Sequence, residues 1–334
     1  MASELVFLVF AKTTLSDSQW RDLPREIITI LEDAMGAERN EGPSSRFLEE
    51  GRVLELSFTT SSPPMTLKEC AVFCHTSAME LLEKTHQVEV VMQPGKLYSL
   101  HKKPGLAVFD MDSTLIQQEV IDELARAVGL YDQVAAITEA AMRGEAPYTD
   151  FEASLRARVA LLKGVRTSIW AELKAGTITF TPGARELVRV LKRLGWKTAV
   201  LSGGFTPLAN WVKETLRLDY AYANYLVSDP DLNILTGELV PEAPIIHAEH
   251  KRQMLLQLAA DNNIPAEQTI AVGDGSNDLL MMGVAGLGIA FHAKPKVQLA
   301  APTRLNSSSL LDVLHVLGFT KDEVNDILEE APQP

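Results

Sequence analysis

Leu106-Ala107-Val108-Phe109-Asp110-Met111-Asp112-Ser113-Thr114-Leu115 is the stretch on which the fold turns. Four consecutive apolar residues without alternation predict a strand buried on both faces, the pattern of parallel sheets covered by helices. Two carboxylates, Asp110 and Asp112, follow at once. Placed together in a partly buried strand end, they demand a counter-charge. A hard divalent cation with oxygen ligands, Mg²⁺ above all, supplies it. An isolated D-x-D is also a common helix-capping turn, so the motif needs support from elsewhere in the chain.

That support lies downstream. Runs at Thr198–Leu201, Thr269–Val272 and Leu287–Ala290 have the same buried character, with helical patterns between them, which predicts a parallel α/β sheet. Two of these runs end in further turns of chemical interest. Ser202-Gly203-Gly204-Phe205 offers a hydroxyl and backbone N–H groups open to an anion, although such a turn is more often only tight. Val272-Gly273-Asp274-Gly275-Ser276-Asn277-Asp278 adds two more carboxylates and an amide. Open α/β sheets bind ligands at the carboxyl ends of their strands, so three such turns predict one convergent site. The first two strands are separated by some 90 residues that read helical from Glu119 to Leu173, far more than a crossover needs, and predict an inserted helical cap. Tyr222–Leu226 and Ile234–Leu239, split by Asp229-Pro230-Asp231, predict a projecting hairpin. The closing Ala331-Pro332-Gln333-Pro334 reads as a frayed tail.

Upstream the rhythm differs. Leu5–Phe10 predicts a strand, and Ser16–Met35 a helix ended by Gly36. Arg46–Leu48 and Val53–Phe58 predict two strands turned at Glu50-Gly51; Thr66–Leu82 predicts a second helix, and His86–Met92 a last strand. This β-α-β-β-α-β order is the ferredoxin-like pattern and resembles the small amino-acid-binding ACT domains. Pro-Gly punctuation at Pro94-Gly95 and Pro104-Gly105 places the domain boundary between them: an α+β domain over 1–95, a linker over 96–105, and an α/β domain over 106–330 with its cap at about 118–180.

Composition narrows the function classes. The 334 residues carry 44 Asp plus Glu against 31 Lys plus Arg, a formal net charge of −13, which disfavours nucleic acid and anionic membranes as partners. The longest early apolar run, Leu5–Ala11, is too short to span a bilayer, and it follows Glu4 with no basic leader, unlike a signal peptide. Cys70 and Cys74 lie four apart, as core residues of one helix, and fit a reducing cytoplasm.

Together the three turns resemble the haloacid dehalogenase (HAD) superfamily, with its D-x-D-x-T, its strand ending in Ser or Thr, its Lys and its G-D-x-x-x-D turn. The longer motifs Asp110–Glu119, Ser154-Leu155-Arg156-Ala157-Arg158-Val159, Ser202–Phe205 and Gly273–Asp278 look like the phosphoserine phosphatase branch, over about residues 104 to 320. The resemblance implies a Rossmann-like core with a helical cap and Mg²⁺-dependent hydrolysis of O-phospho-L-serine. It implies Asp110 as nucleophile and Asp112 as acid and base; Asp110, Asp274 and the Asp112 carbonyl as metal ligands; and Asp278 as their supporting partner. Lys251, which as half of a Lys-Arg pair would otherwise read as solvated surface, becomes the cation beside the nucleophile. Glu119 and Arg158, ordinarily surface residues, become the partners of the substrate's ammonium and carboxylate, with Ser202, Gly203 and Asn277 on the phosphoryl group and Met142 and Phe151 beside the substrate chain.

Competing readings are a phosphatase for another small phosphate such as phosphohomoserine, a phosphotransferase, and a non-catalytic amino-acid sensor built on the N-terminal domain. For that domain, homodimer formation, serine binding and simple stabilisation all stay open.

Overall fold

A computed structural model describes residues 3–35, 43–61 and 63–329; the expected helix stop at Gly36 and the expected frayed tail at 331–334 lie outside them. The N-terminal strands are β1 (Ser3–Ala11), β2 (Ser44–Glu49), β3 (Val53–Thr60) and β4 (Val88–Pro94), antiparallel in the order β2-β3-β1-β4. With the helix Asp17–Met35 and two further helices, this is the expected ferredoxin-like order. The near-continuous apolar run of β1 has a reason. Leu5, Phe7 and Val9 pack on the domain's own helices, whereas Val6, Leu8 and Phe10 join the core of the larger domain, so neither face meets water.

One predicted helix is two. Leu67–Cys74 and Ser77–His86 are separated at His75 and Thr76, where Thr66–Leu82 reads as continuous. Thr76 adopts extended backbone (φ −68°, ψ 148°) and its hydroxyl donates to Phe73 O at 2.8 Å, so the chain turns before a new helix starts.

The second sheet holds β5 (Leu106–Phe109), β6 (Lys197–Phe205), β7 (Tyr220–Asn224), β10 (Thr269–Gly273), β11 (Leu287–Phe291) and β12 (Thr303–Leu305), all parallel in the order β12-β11-β10-β5-β6-β7. From β5 the chain builds β6 and β7 on one side and then β10 to β12 on the other. The crevice at that reversal, beside the end of β5, is where such sheets place ligands. Helices cover both faces. Leu106 and Val108 pack with Leu255, Leu258 and Met281, while Ala107 and Phe109 pack in the cluster holding Leu187, Leu191 and Leu208.

The expected hairpin needs correcting. Tyr220–Asn224 belongs to the main sheet as edge strand β7, and the hairpin is β8 (Leu226–Asp229) with β9 (Ile234–Leu239). The Tyr-Ala-Tyr-Ala run of this partly covered edge strand alternates in residue size as a hairpin strand can, which is why the two look alike in sequence.

The inserted helices are Val120–Ala127, Tyr131–Met142, Phe151–Ala160 and Ile169–Glu172. Their chain leaves and returns through a narrow neck: Ile116 and Phe180 form an antiparallel bridge, flanked by Gln117 N–H to Thr179 O and Thr181 N–H to Leu115 O, each 3.0 Å. No described helix is long and apolar enough to cross a membrane.

Candidate active site

The register of the sheet brings the three turns together. Phe109 is paired with Val272 on one side and with Val200 on the other, so Asp110, Gly273 and Leu201 emerge side by side. Asp110 N–H donates to Val272 O at 2.9 Å, the last ladder bond before the chain turns away. The following Met111–Leu115 turn is tight enough that Ser113 takes φ +55°.

Asp110 is buried, and its Oδ1 accepts from Met111 N–H and from Lys251 Nζ, both at 2.7 Å. Lys251 sits in the helix Ala248–Asp261, fully buried, and reaches Asp278 Oδ1 at another 2.7 Å. Burial opposes its charge, yet the two carboxylates hold it protonated above the usual lysine range. Asp110, Asp274 and Asp278 have carboxylate oxygens within 4.8 Å of one another. Burial, then the charges of Asp110 and Asp278, push the Asp274 carboxyl up to about 8. Burial and Asp110 push Asp278 up to about 7 against the pull of Lys251. One lysine therefore does not neutralise three acids. Their hard oxygen donors, short of positive charge, fit a divalent cation.

Asp112 lies beside this group. Its Oδ2 accepts from Val120 N–H at 3.4 Å and its Oδ1 is buried without a hydrogen-bond partner among the described residues. Burial, then Glu119 and Asp110, raise its carboxyl well above the ordinary range. Gly204 is closely packed here. A Cβ at that position would stand 3.0 Å from Ser202 Oγ and 3.1 Å from Asp112 Oδ2, so one of them would have to give by a few tenths of an ångström. Gly273 is more tightly constrained, since a Cβ there would overlap the Asp278 side chain. Ser202 is buried and its hydroxyl accepts from Gly204 N–H at 2.9 Å; Asn277 is half-buried on the turn that carries Asp278.

The cap supplies the remaining residues. Glu119 opens the Val120–Ala127 helix and accepts from Ser113 Oγ at 2.7 Å, tying the cap to the turn after Asp110. Burial, opposed by the Ser113 bond and Arg158, raises its carboxyl. Arg158, on Phe151–Ala160, donates Nε to Ser154 O at 3.2 Å; burial lowers its pKa while Asp122 and Glu119 oppose the shift. Phe151 reaches the Ser202–Gly204 turn: a Cβ on Gly203 would stand 3.2 Å from its ring. The Met142 side chain lies outside what is described. Ser113, which bonds Glu119, and Asp122, whose charge favours the protonated Arg158, were not foreseen. Ser113 lies inside the quoted motif, and Asp122 one helical turn after Glu119, so spacing could have found both.

The haloacid dehalogenase-like hydrolase family model matches residues 107–283, just over half the chain. A phosphoserine phosphatase from Streptomyces coelicolor is 41% identical over 315 residues, covering 93% of this chain and 74% of the relative. Among solved structures, a HAD-family hydrolase from Salmonella enterica serovar Typhi is similar over 95% of this chain and 98% of its own, at 30% identity and a TM-score of 0.72. A phospho-aspartyl intermediate analogue of phosphoserine phosphatase is 41% identical with a TM-score of 0.58, over 64% of this chain and 99% of its own. The chain therefore belongs to the haloacid dehalogenase-like hydrolases and, within them, to the phosphoserine phosphatases.

Proposed function

We propose that the site hydrolyses O-phospho-L-serine to L-serine and phosphate through a covalent intermediate on Asp110, with Mg²⁺ as its ion. The carrying observation is the buried Asp110–Lys251–Asp278 ion-pair chain at the switch point, with Asp112 Oδ1 beside it, buried and without a hydrogen-bond partner among the described residues. Bound against the oxygens of Asp110 and Asp274, and an Asp112 carbonyl, the ion would polarise the phosphoryl group and offset the acids, with Asp278 supporting the set.

The residues divide the work. Oδ1 of Asp110 is taken by Met111 N–H and Lys251, which leaves Oδ2 as the attacking atom. It forms a bond to phosphorus as the phosphorus–serine oxygen bond breaks, and Asp112 gives its proton to the departing alkoxide. Asp112 then takes a proton from water, whose oxygen attacks phosphorus and frees Asp110 and inorganic phosphate. Throughout, Lys251 balances charge gathered on the phosphoryl oxygens, and the Ser202 hydroxyl, Gly203 N–H and Asn277 hold them. Glu119 answers the substrate's ammonium and Arg158 its carboxylate. Cap closure over this pair would exclude bulk water during the reaction. Two buried free thiols, Cys70 and Cys74, both shifted upward by burial, support work in the reducing cytoplasm.

The test is selectivity. Glu119→Gln and Arg158→Ala are expected to cut kcat/KM for phosphoserine by about 10²-fold or more while changing that for an aryl phosphate by less than about tenfold. Equal losses on both substrates would overturn the ammonium and carboxylate assignments. A panel including phosphohomoserine and acceptor alcohols, scored for free against transferred phosphate, separates the hydrolase from its rivals.

A further inference from the structure

Asn224 closes β7 and is 1% exposed. It was not foreseen as a site residue. Its amide nitrogen donates to Gly203 O at 2.8 Å, and its amide oxygen accepts from Ile246 N–H at 2.9 Å. The first bond fills a specific gap. The β6–β7 register shifts between Leu201 and Phe205, so residues 202–204 have no register partner on β7. Gly203 C=O and Gly204 N–H are the two ends of one peptide unit. Asn224 holds the first and Ser202 Oγ accepts from the second at 2.9 Å, so the plane of that peptide is fixed. The direction of the Ser202 hydroxyl is fixed with it.

The second bond reaches another element. Ile246 precedes His247, which caps the helix Ala248–Asp261 and whose carbonyl accepts from Lys251 N–H at 2.8 Å. One buried amide thus spans the turn that grips phosphate and the entry to the helix that delivers the lysine. No other described side chain bonds both segments.

We infer that Asn224 is a positioning residue that sets the spacing between the Ser202–Gly203 turn and Lys251, and so tunes phosphoryl affinity without touching substrate. This rests on the phosphate-binding roles proposed for Ser202, Gly203 and Lys251. Losing a buried bond pair between fixed elements is expected to lower phosphate affinity, since an anion site works by donors already in place.

The experiment compares Asn224→Ala, Asn224→Asp and Thr206→Val in the full chain, reading KM, kcat, inhibition by inorganic phosphate and thermal midpoint. Asp keeps an oxygen for Ile246 N–H but, when ionised, sets an acceptor against Gly203 O. Thr206 Oγ1 donates to the backbone carbonyls of Ala223 and Asn224 at 3.2 and 3.0 Å, so its loss weakens the same strand end without freeing the phosphate turn. Asn224→Ala and Asn224→Asp are expected to raise KM and the phosphate inhibition constant about tenfold, whereas Thr206→Val lowers the midpoint and leaves both within about twofold. If Asn224→Ala does not fold, the near-isosteric Asp variant carries the reading. Wild-type KM and phosphate inhibition in the Asn224 variants, or the same shift in Thr206→Val, would overturn the assignment. Ser202→Ala and Lys251→Ala serve as references. If these keep wild-type kinetics, the underlying site reading fails; if they lose activity while the Asn224 variants do not, only the Asn224 inference falls.

Discussion

Asp110→Asn is expected to lower kcat on phosphoserine by about 10³-fold or more while leaving the thermal midpoint within a few degrees of wild type. The asymmetry follows from the two oxygens. An amide oxygen at Oδ1 still accepts from Met111 N–H and Lys251, the contacts that hold the residue at the end of β5. What disappears is the anionic oxygen that bonds phosphorus. Lys251 keeps its second carboxylate partner, Asp278, at 2.7 Å, so the buried cation is not stranded. Activity above a few per cent of wild type, with amide hydrolysis back to Asp excluded by mass spectrometry, would remove Asp110 from the nucleophile's role.

Lys251→Met is expected to damage both activity and stability. The side chain is fully buried and supplies charge-assisted bonds to Asp110 and Asp278, close to a third carboxylate on Asp274. Removing one partner of a buried ion pair leaves uncompensated charge and costs about 3–5 kcal/mol. For a chain of this size that corresponds to a drop of about 4–7 °C in thermal midpoint. The same substitution removes a cation from the phosphoryl oxygens, worth about 10²-fold or more in kcat. Because the stranded charges are carboxylates, added Mg²⁺ should recover part of the midpoint but not the rate. Unchanged stability in metal-free buffer would contradict the ion-pair account; rescue of the rate by metal would contradict the separate role of the lysine.

Much of this site is written in the chain as local motifs. Asp110, Asp112, Ser202, Asp274 and Asp278 each stand within a few residues of an apolar run, and parallel pairing of those runs is enough to bring them together. The remainder depends on packing that no short window contains. Lys251 beside Arg252 looks like an ordinary charged helix face, and only the packing of Ala248–Asp261 against β5 buries the first fully and leaves the second half-buried. Asn224 is silent for a similar reason: its partners lie 21 and 22 residues away, at a register break that apolar patterning does not encode. The fold was legible to the level of topology. Its errors fell where weak local signals compete, at the His75-Thr76 break and at an edge strand that alternates like a hairpin.

Net charge illustrates the same division between global and local. A chain at −13 repels polyanions, yet its central site sets Lys251 against a cluster of carboxylates, and on the proposed reading the lysine, backbone amides and a cation at that cluster would receive a phosphate. The most direct measurement is therefore phosphate release from O-phospho-L-serine by the chelator-treated full chain, before and after adding Mg²⁺. Turnover of about 1 s⁻¹ or faster with the ion, and a loss of about 10²-fold or more without it, is the predicted result. Release no faster than that of Asp110→Asn, with Mg²⁺ present, would contradict the account.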